Sequence, residues 1–209
     1  IGILSIKLCK FDSRFLIKEQ IINNGIYGAQ NLGFKFFKKN EWLLFWGSDD
    51  YASSNKIVSI IRKEISRNIN IDLIIFSGKF VSRIDGKPKS LNHFTKLSNN
   101  YFDNNEYRKK IFYGFRQAHQ ATLINPKNNL KDLLYDENYF LAADLNYYLD
   151  CTKINNLKSK FCNINIVNIG IGGISRKRNI MRFKEVLSIY WKNFKILFLI
   201  PFILRYLKC

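Results

Sequence analysis

Two carboxylates stand side by side, Asp49 and Asp50, just after the apolar run Trp42-Leu43-Leu44-Phe45-Trp46 and the pair Gly47-Ser48. Adjacent ionised carboxylates repel, so they suit a place where something positive offsets them. A divalent cation shared with diphosphate oxygens is the natural partner. The same pair also reads as a solvated turn capping the next helix, since Asp is common at helix starts, and spacing alone leaves both open. A third acid, Asp144, interrupts the apolar stretch Leu141-Ala142-Ala143-Asp144-Leu145. A carboxylate there is paired, solvated at a helix edge, or a proton acceptor. His119, in Ala118-His119-Gln120-Ala121, reads by itself as an ordinary core or surface residue as readily as a catalyst. Gly172-Gly173-Ile174-Ser175 precedes Arg176-Lys177-Arg178, which offers backbone N–H groups and counter-charges to phosphate oxygens.

Such residues need elements to hold them. Apolar residues recur at three and four over 26–39, which predicts a helix. Residues 41–45 read as a buried strand, and Ser53 and Ser54 as N-caps of a helix running to about Arg67. Residues 71–76 read as a central strand, 80–84 as another, and Asp85-Gly86-Lys87 as a hairpin turn. Residues 88–110 are polar and read as a loop or helical insertion; 120–124 and 161–169 read as strands, and 138–150 as a helix. The alternation predicts an α/β fold with a mixed, mostly parallel sheet flanked by helices. In such sheets ligands bind beyond the carboxyl ends of the strands, where Asp49 and Asp50 would stand.

The tail differs. Its apolar stretch 196–204, flanked by Trp191, Tyr190, Lys192, Lys195 and Arg205, is well short of the ~20 residues that span a bilayer. It reads as an interfacial amphipathic helix, as a C-terminal core helix, or as one that docks on a partner. The chain thus divides into a domain over 1–182 and a basic, aromatic tail over 183–209.

With 209 residues, 47% hydrophobic and 24% charged, the chain has the composition of a globular domain rather than a disordered one. Its 34 Lys+Arg against 16 Asp+Glu give +18, which suits polyanionic partners: nucleic acid, anionic lipid or phosphorylated substrates. Ile, Asn, Lys, Phe and Tyr are abundant together, so the charge permits such partners without selecting one. The four Cys have no CxxC spacing, which argues against a zinc site or a disulfide framework and fits a reducing compartment. The chain begins at Ile1 and carries no signal-peptide pattern.

Taken in order, these pieces resemble the family 2 glycosyltransferases of the GT-A fold, the bacterial polysaccharide-building enzymes above all. The family's D-x-G-I-Y-D-A-x-N-x-G stretch stands here as Asn23-Asn24-Gly25-Ile26-Tyr27-Gly28-Ala29-Gln30-Asn31-Leu32-Gly33. Gly47-Ser48-Asp49-Asp50 follows, then His119-Gln120-Ala121-Thr122, then Tyr135-Asp136-Glu137-Asn138-Tyr139 to Ala143-Asp144, then Gly172 to Ser175. The likeness covers about residues 10–180. Gly28 replaces the family's usual Asp, and Asn23 stands where an acid is usual. The family's first strand, helix and second strand would precede residue 1, about 50 residues or more, so the chain reads as N-terminally truncated.

The resemblance implies an inverting transfer of sugar from a nucleotide-diphosphate sugar to a hydroxyl of a glycan or lipid-linked acceptor. Asp49 would contact the ribose or first phosphate, and Asp50 would ligate Mg²⁺ or Mn²⁺ on the diphosphate. Asp144 would be the general base, His119 and Gln120 would shape the acceptor side, Tyr27 and Asn31 would belong to the donor site, and Ser175 and Arg176 would touch the diphosphate. The expected location is cytoplasmic, peripheral at the inner face of the cytoplasmic membrane, on an anionic lipid surface. Two other readings stay open: an inactive remnant or nucleotide-sugar binding module, and a basic nucleic-acid-binding protein. No nucleic-acid motif is visible, so no nucleic-acid partner is expected.

Overall fold

The apolar run Leu73-Ile74-Ile75-Phe76 shows no alternation because both faces of its strand are covered. Leu73 and Ile75 enter one core cluster, Ile74 and Phe76 the other. The computed structural model describes residues 25–38, 40–82, 87, 98–126, 130–171 and 178–207. Among them the strands are β1 (Tyr51–Ala52), β2 (Leu73–Val81), β3 (Tyr101–Asp103), β4 (Thr122–Ile124) and β5 (Lys158–Gly170). They form one sheet in the order β1-β5-β2-β4, with β3 also on β5. The helices are α1 (Gly25–Phe36), α2 (Ile57–Arg67), α3 (Asn104–Phe112), α4 (Ala143–Cys151), α5 (Asn179–Phe194) and α6 (Leu199–Leu207).

The two clusters make a layered sandwich. One gathers Tyr27 and Phe34 of α1, Tyr107 and Ile111 of α3, Tyr147 and Leu149 of α4, and Ile189 and Tyr190 of α5 against Leu73, Ile75 and Phe161. The other packs Ile57 of α2 against Ile74, Phe76, Leu123 and Val167. The β2–β5 register slips between Ile75 and Ser77 and again between Ser77 and Gly78, so extra β5 residues curl the sheet as it nears its carboxyl end.

The mixed α/β class is as expected, but the share of parallel pairing is smaller. Among the described residues only β2–β5 is parallel, while β1–β5, β2–β4 and β3–β5 are antiparallel. A strand buried on both faces is apolar in either direction, so its pattern carries no direction. The two strands expected at 71–76 and 80–84 are replaced by one continuous strand, β2, which runs from Leu73 to Val81. The expected strand over 41–45 is extended chain held by a single bridge, Leu43 to Ile124. Ser53 and Ser54 do not cap α2. Ser53 Oγ donates to Asn165 O, and the helix starts after Lys56 without a side-chain cap. Within 88–110, β3 and α3 form, with a capping box in which Asp103 accepts from the Glu106 N–H and Glu106 from the Asp103 N–H. The helix expected over 138–150 begins only at Ala143. The boundary expected at 182/183 falls inside α5. The hairpin residues Asp85 and Gly86 lie outside the described residues.

Candidate active site

Asp49 and Asp50 sit in a turn closed from both sides. The Gly47 N–H donates to Asp50 Oδ2 at 2.7 Å, and the Asp50 N–H donates to Gly47 O at 3.2 Å. The extended chain before it is fixed by Leu43 on Ile124 and by Trp46, whose Nε1–H donates to Gln120 O at 2.8 Å. On its other side the turn rests on the end of β5, where a Cβ at Gly170 would stand 2.8 Å from both Asp49 O and Asp49 Oδ2. Only a residue without a side chain permits that approach. Val81 pairs with Gly170, so the two acids stand at the carboxyl ends of the parallel pair.

Burial pushes the Asp50 carboxyl above the ordinary carboxylate range. The Gly47 N–H opposes this, the Asp49 charge adds to it, and His119 and the Gly170 N–H oppose it.

Asp144 occupies the first turn of α4, whose start is held by a remote carboxylate. Glu185 of α5 accepts from the Phe140, Leu141 and Ala142 N–H groups at 3.0, 2.8 and 2.9 Å. Those are donors a helix start cannot pair internally. Asp144 Oδ1 accepts from the Leu145 N–H at 2.8 Å and lies 3.5 Å from the Tyr27 hydroxyl. Asp144 Oδ2 lies 3.7 Å from His119 Nδ1, with the two side chains 25% and 20% exposed, so both are reachable from outside. Burial pushes the Asp144 carboxyl up, but the hydrogen bond and charge of His119, then the charge of Arg205, then the Leu145 N–H outweigh it. The net direction is down, and Asp144 is held ionised at neutral pH. Burial and then the Asp144 charge drive the Tyr27 phenol far above its ordinary value, so it stays a donor.

The fold thus brings Asp49, Asp50, His119, Asp144 and Tyr27 to one place, with Gln120 tied by its carbonyl to Trp46. Asn31 is near but committed. Its amide donates to Tyr135 O and Glu137 Oε1, both at 2.9 Å, and its Oδ1 accepts from the Tyr135 N–H at 2.8 Å. It braces the segment leading to α4. Ser175 and Arg176 lie outside the described residues. Among the described residues no three His, Cys, Asp or Glu side chains stand close enough together to hold one metal ion by themselves.

Two residues were missed in the sequence. Glu185 had a signal, being the single acid after Asp150. Arg205 had none, because only the docking of α6 brings its charge to act on Asp144. A Cβ at Gly114 would stand 2.7 Å from Leu204 O and 3.0 Å from the Arg205 N, so the backbone of α6 lies directly on Gly114.

No family model matches the chain, and no curated protein matches it. Among solved structures it is similar to TarS of S. aureus. The TarS 1-349 crystal structure matches with a TM-score of 0.61 and 14% identity over 97% of this chain and 58% of that one. A second TarS structure matches with the same TM-score and identity over 96% of this chain and 35% of that one. The chain therefore spans little more than half of the one and about a third of the other. The likeness shows the fold alone: the curled, mixed α/β sheet flanked by helices is shared with the TarS structures.

Proposed function

We propose that this chain carries the site of an inverting glycosyltransferase, which moves a sugar from a nucleotide-diphosphate sugar to a hydroxyl of a glycan or lipid-linked acceptor. The observation that carries the reading is the meeting of two acid centres from distant parts of the chain. Asp49 and Asp50 stand at the sheet's carboxyl end, Asp144 stands at the start of α4 with His119 3.7 Å from it, and Trp46, just before the acid pair, donates to the carbonyl of Gln120, the residue after that histidine. One centre suits a leaving diphosphate, the other an incoming hydroxyl.

Asp144 accepts the acceptor's proton as the hydroxyl oxygen attacks the anomeric carbon. The bond from that carbon to the diphosphate oxygen breaks, and the nucleotide diphosphate leaves with the electron pair, on the face opposite the attack. His119 and the Leu145 N–H keep Asp144 ionised and oriented for this step. Gln120 shapes the acceptor side, and Asp49 meets the ribose or first phosphate.

The residues fit Mg²⁺ or Mn²⁺. Asp50, half-buried beside Asp49 with its carboxyl pushed up, is a place where a cation relieves excess negative charge. The cation's other ligands would come from diphosphate and water. Bound there, the ion would neutralise charge on the departing diphosphate.

The test is calorimetric titration with UDP and GDP, each with and without Mn²⁺. Metal-dependent binding that disappears in Asp50→Ala is expected. Sugar-transfer assays with nucleotide sugars then follow, in which Asp144→Asn should retain binding and lose transfer. Binding that ignores both the metal and Asp50→Ala would overturn the assignment.

A further inference from the structure

The second half of the tail is apolar on both sides. Phe198 and Phe202 turn inward onto the core, where Phe202 meets Phe183 of α5 edge-on and Tyr206 lies tilted against the same ring. The outward side is apolar too. Ile196 is 86% exposed and Leu207 74%, with Leu199, Ile200 and Ile203 between them at 44–50% and Trp191 joining from the end of α5. A core helix has no use for this second strip, and a solvated helix would carry polar residues there.

The tail's own charges are basic, with Lys192 of α5 paired to Asp136 at 3.9 Å. No acidic residue follows Glu185, and Glu185 is turned inward onto the start of α4. Lys184 and Lys195 are exposed beside the strip. A protein partner could cover the apolar strip. An anionic bilayer covers it and also meets the lysines with headgroup charge, while Trp191 suits the headgroup level. Among the described residues no helix is long and apolar enough to cross a membrane, so the segment would lie in the interface.

We infer that the outer face of α6, with Trp191 and the flanking lysines, is a docking surface for an anionic lipid bilayer. The helix that rests on the membrane with one face lies on Gly114 and packs Phe202 against the core with the other. The bilayer then fixes the orientation of the site without touching it.

The test is vesicle flotation of the whole chain, which needs no catalytic activity and is separate from the glycosyltransferase reading. Vesicles of phosphatidylcholine with phosphatidylglycerol should carry the protein up, pure phosphatidylcholine vesicles should not, and salt should weaken the binding. Ile196→Asp with Leu207→Asp should abolish flotation, both positions being exposed enough to keep the fold, as circular dichroism would verify. Lys184→Ser with Lys195→Ser, an independent pair, should weaken partitioning on the order of tenfold or more. No binding to the anionic vesicles would overturn the inference, as would binding unchanged in both pairs. Sedimentation showing a dimer that Ile196→Asp with Leu207→Asp dissolves, without vesicle binding, would overturn it by giving the face to a second copy.

Discussion

Gly114→Ala tests whether α6 is an integral part of the site. Gly114 has φ of +81°, and a Cβ there would stand 2.7 Å from Leu204 O, 2.8 Å from Leu204 C and 3.0 Å from the Arg205 N. The left-handed conformation costs an alanine ~1–2 kcal/mol. The close contacts are all backbone, so no side chain can rotate away and α6 itself must move, an overpacking of ~1–3 kcal/mol. The alanine restricts the unfolded chain and returns ~0.4–1 kcal/mol. The net expectation is a loss on the order of 1–4 kcal/mol, small enough against typical domain stabilities for the protein to remain folded. Urea denaturation measures the loss, and limited proteolysis should show faster cleavage between α5 and α6. If α6 shifts, Arg205 draws back from Asp144 and one of the influences holding that carboxyl down weakens. The acidic limb of the transfer rate should then move to higher pH. A Gly114→Ala protein with wild-type stability and wild-type cleavage would refute the docking argument.

Other perturbations probe the rest of the frame. Asp50 has its carboxyl raised in the folded state, so its ionised form opposes folding as pH rises through that value. Asp50→Asn should therefore raise the melting temperature of the metal-free protein at pH 7 while abolishing metal-dependent nucleotide binding. Asp144 is the opposite case: its lowered value contributes stability above the unfolded pKa that is lost as pH falls through the folded one. Asp144→Asn should flatten the acid side of a stability-against-pH curve. Lys160 and Glu64 form an ion pair at 2.7 Å with side chains only 14% and 12% exposed. Lys160→Met takes the ammonium from part-buried Glu64, which keeps Asn68 and Cys162 beside it, and should cost ~1–3 kcal/mol in urea denaturation. Gly170→Ala presses on Asp49 at 2.8 Å, and should weaken nucleotide affinity more than it lowers stability.

The elements were legible where a local pattern was strong. The period over 26–39 located α1, and the apolar run at 71–76 located the central strand. The acid pair was expected at the carboxyl end of a strand over 41–45; that stretch is extended chain with one bridge, and the pair lies instead beside the carboxyl ends of β2 and β5, which only the packed sheet brings there. The capping box of Asp103 and Glu106 was local and lay unread inside a stretch taken as a loop or helical insertion. The start of α4 was not legible, because its cap is Glu185, forty-odd residues away.

The sequence by itself determined the alternation of helices and strands, the basic charge and the order of the acid centres, since each is written in neighbouring residues. Tertiary structure alone decided which groups meet. Strand direction is silent in a run buried on both faces, so only the packed sheet set β2 parallel to β5 and against β4. His119 meets Asp144 because a 3-10 turn and a helix start distant in the chain converge on one edge. The Arg205 charge acts on Asp144 because α6 folds back onto a glycine some ninety residues earlier in the chain. Contacts between distant residues depend on the path of the whole backbone, which no local pattern encodes.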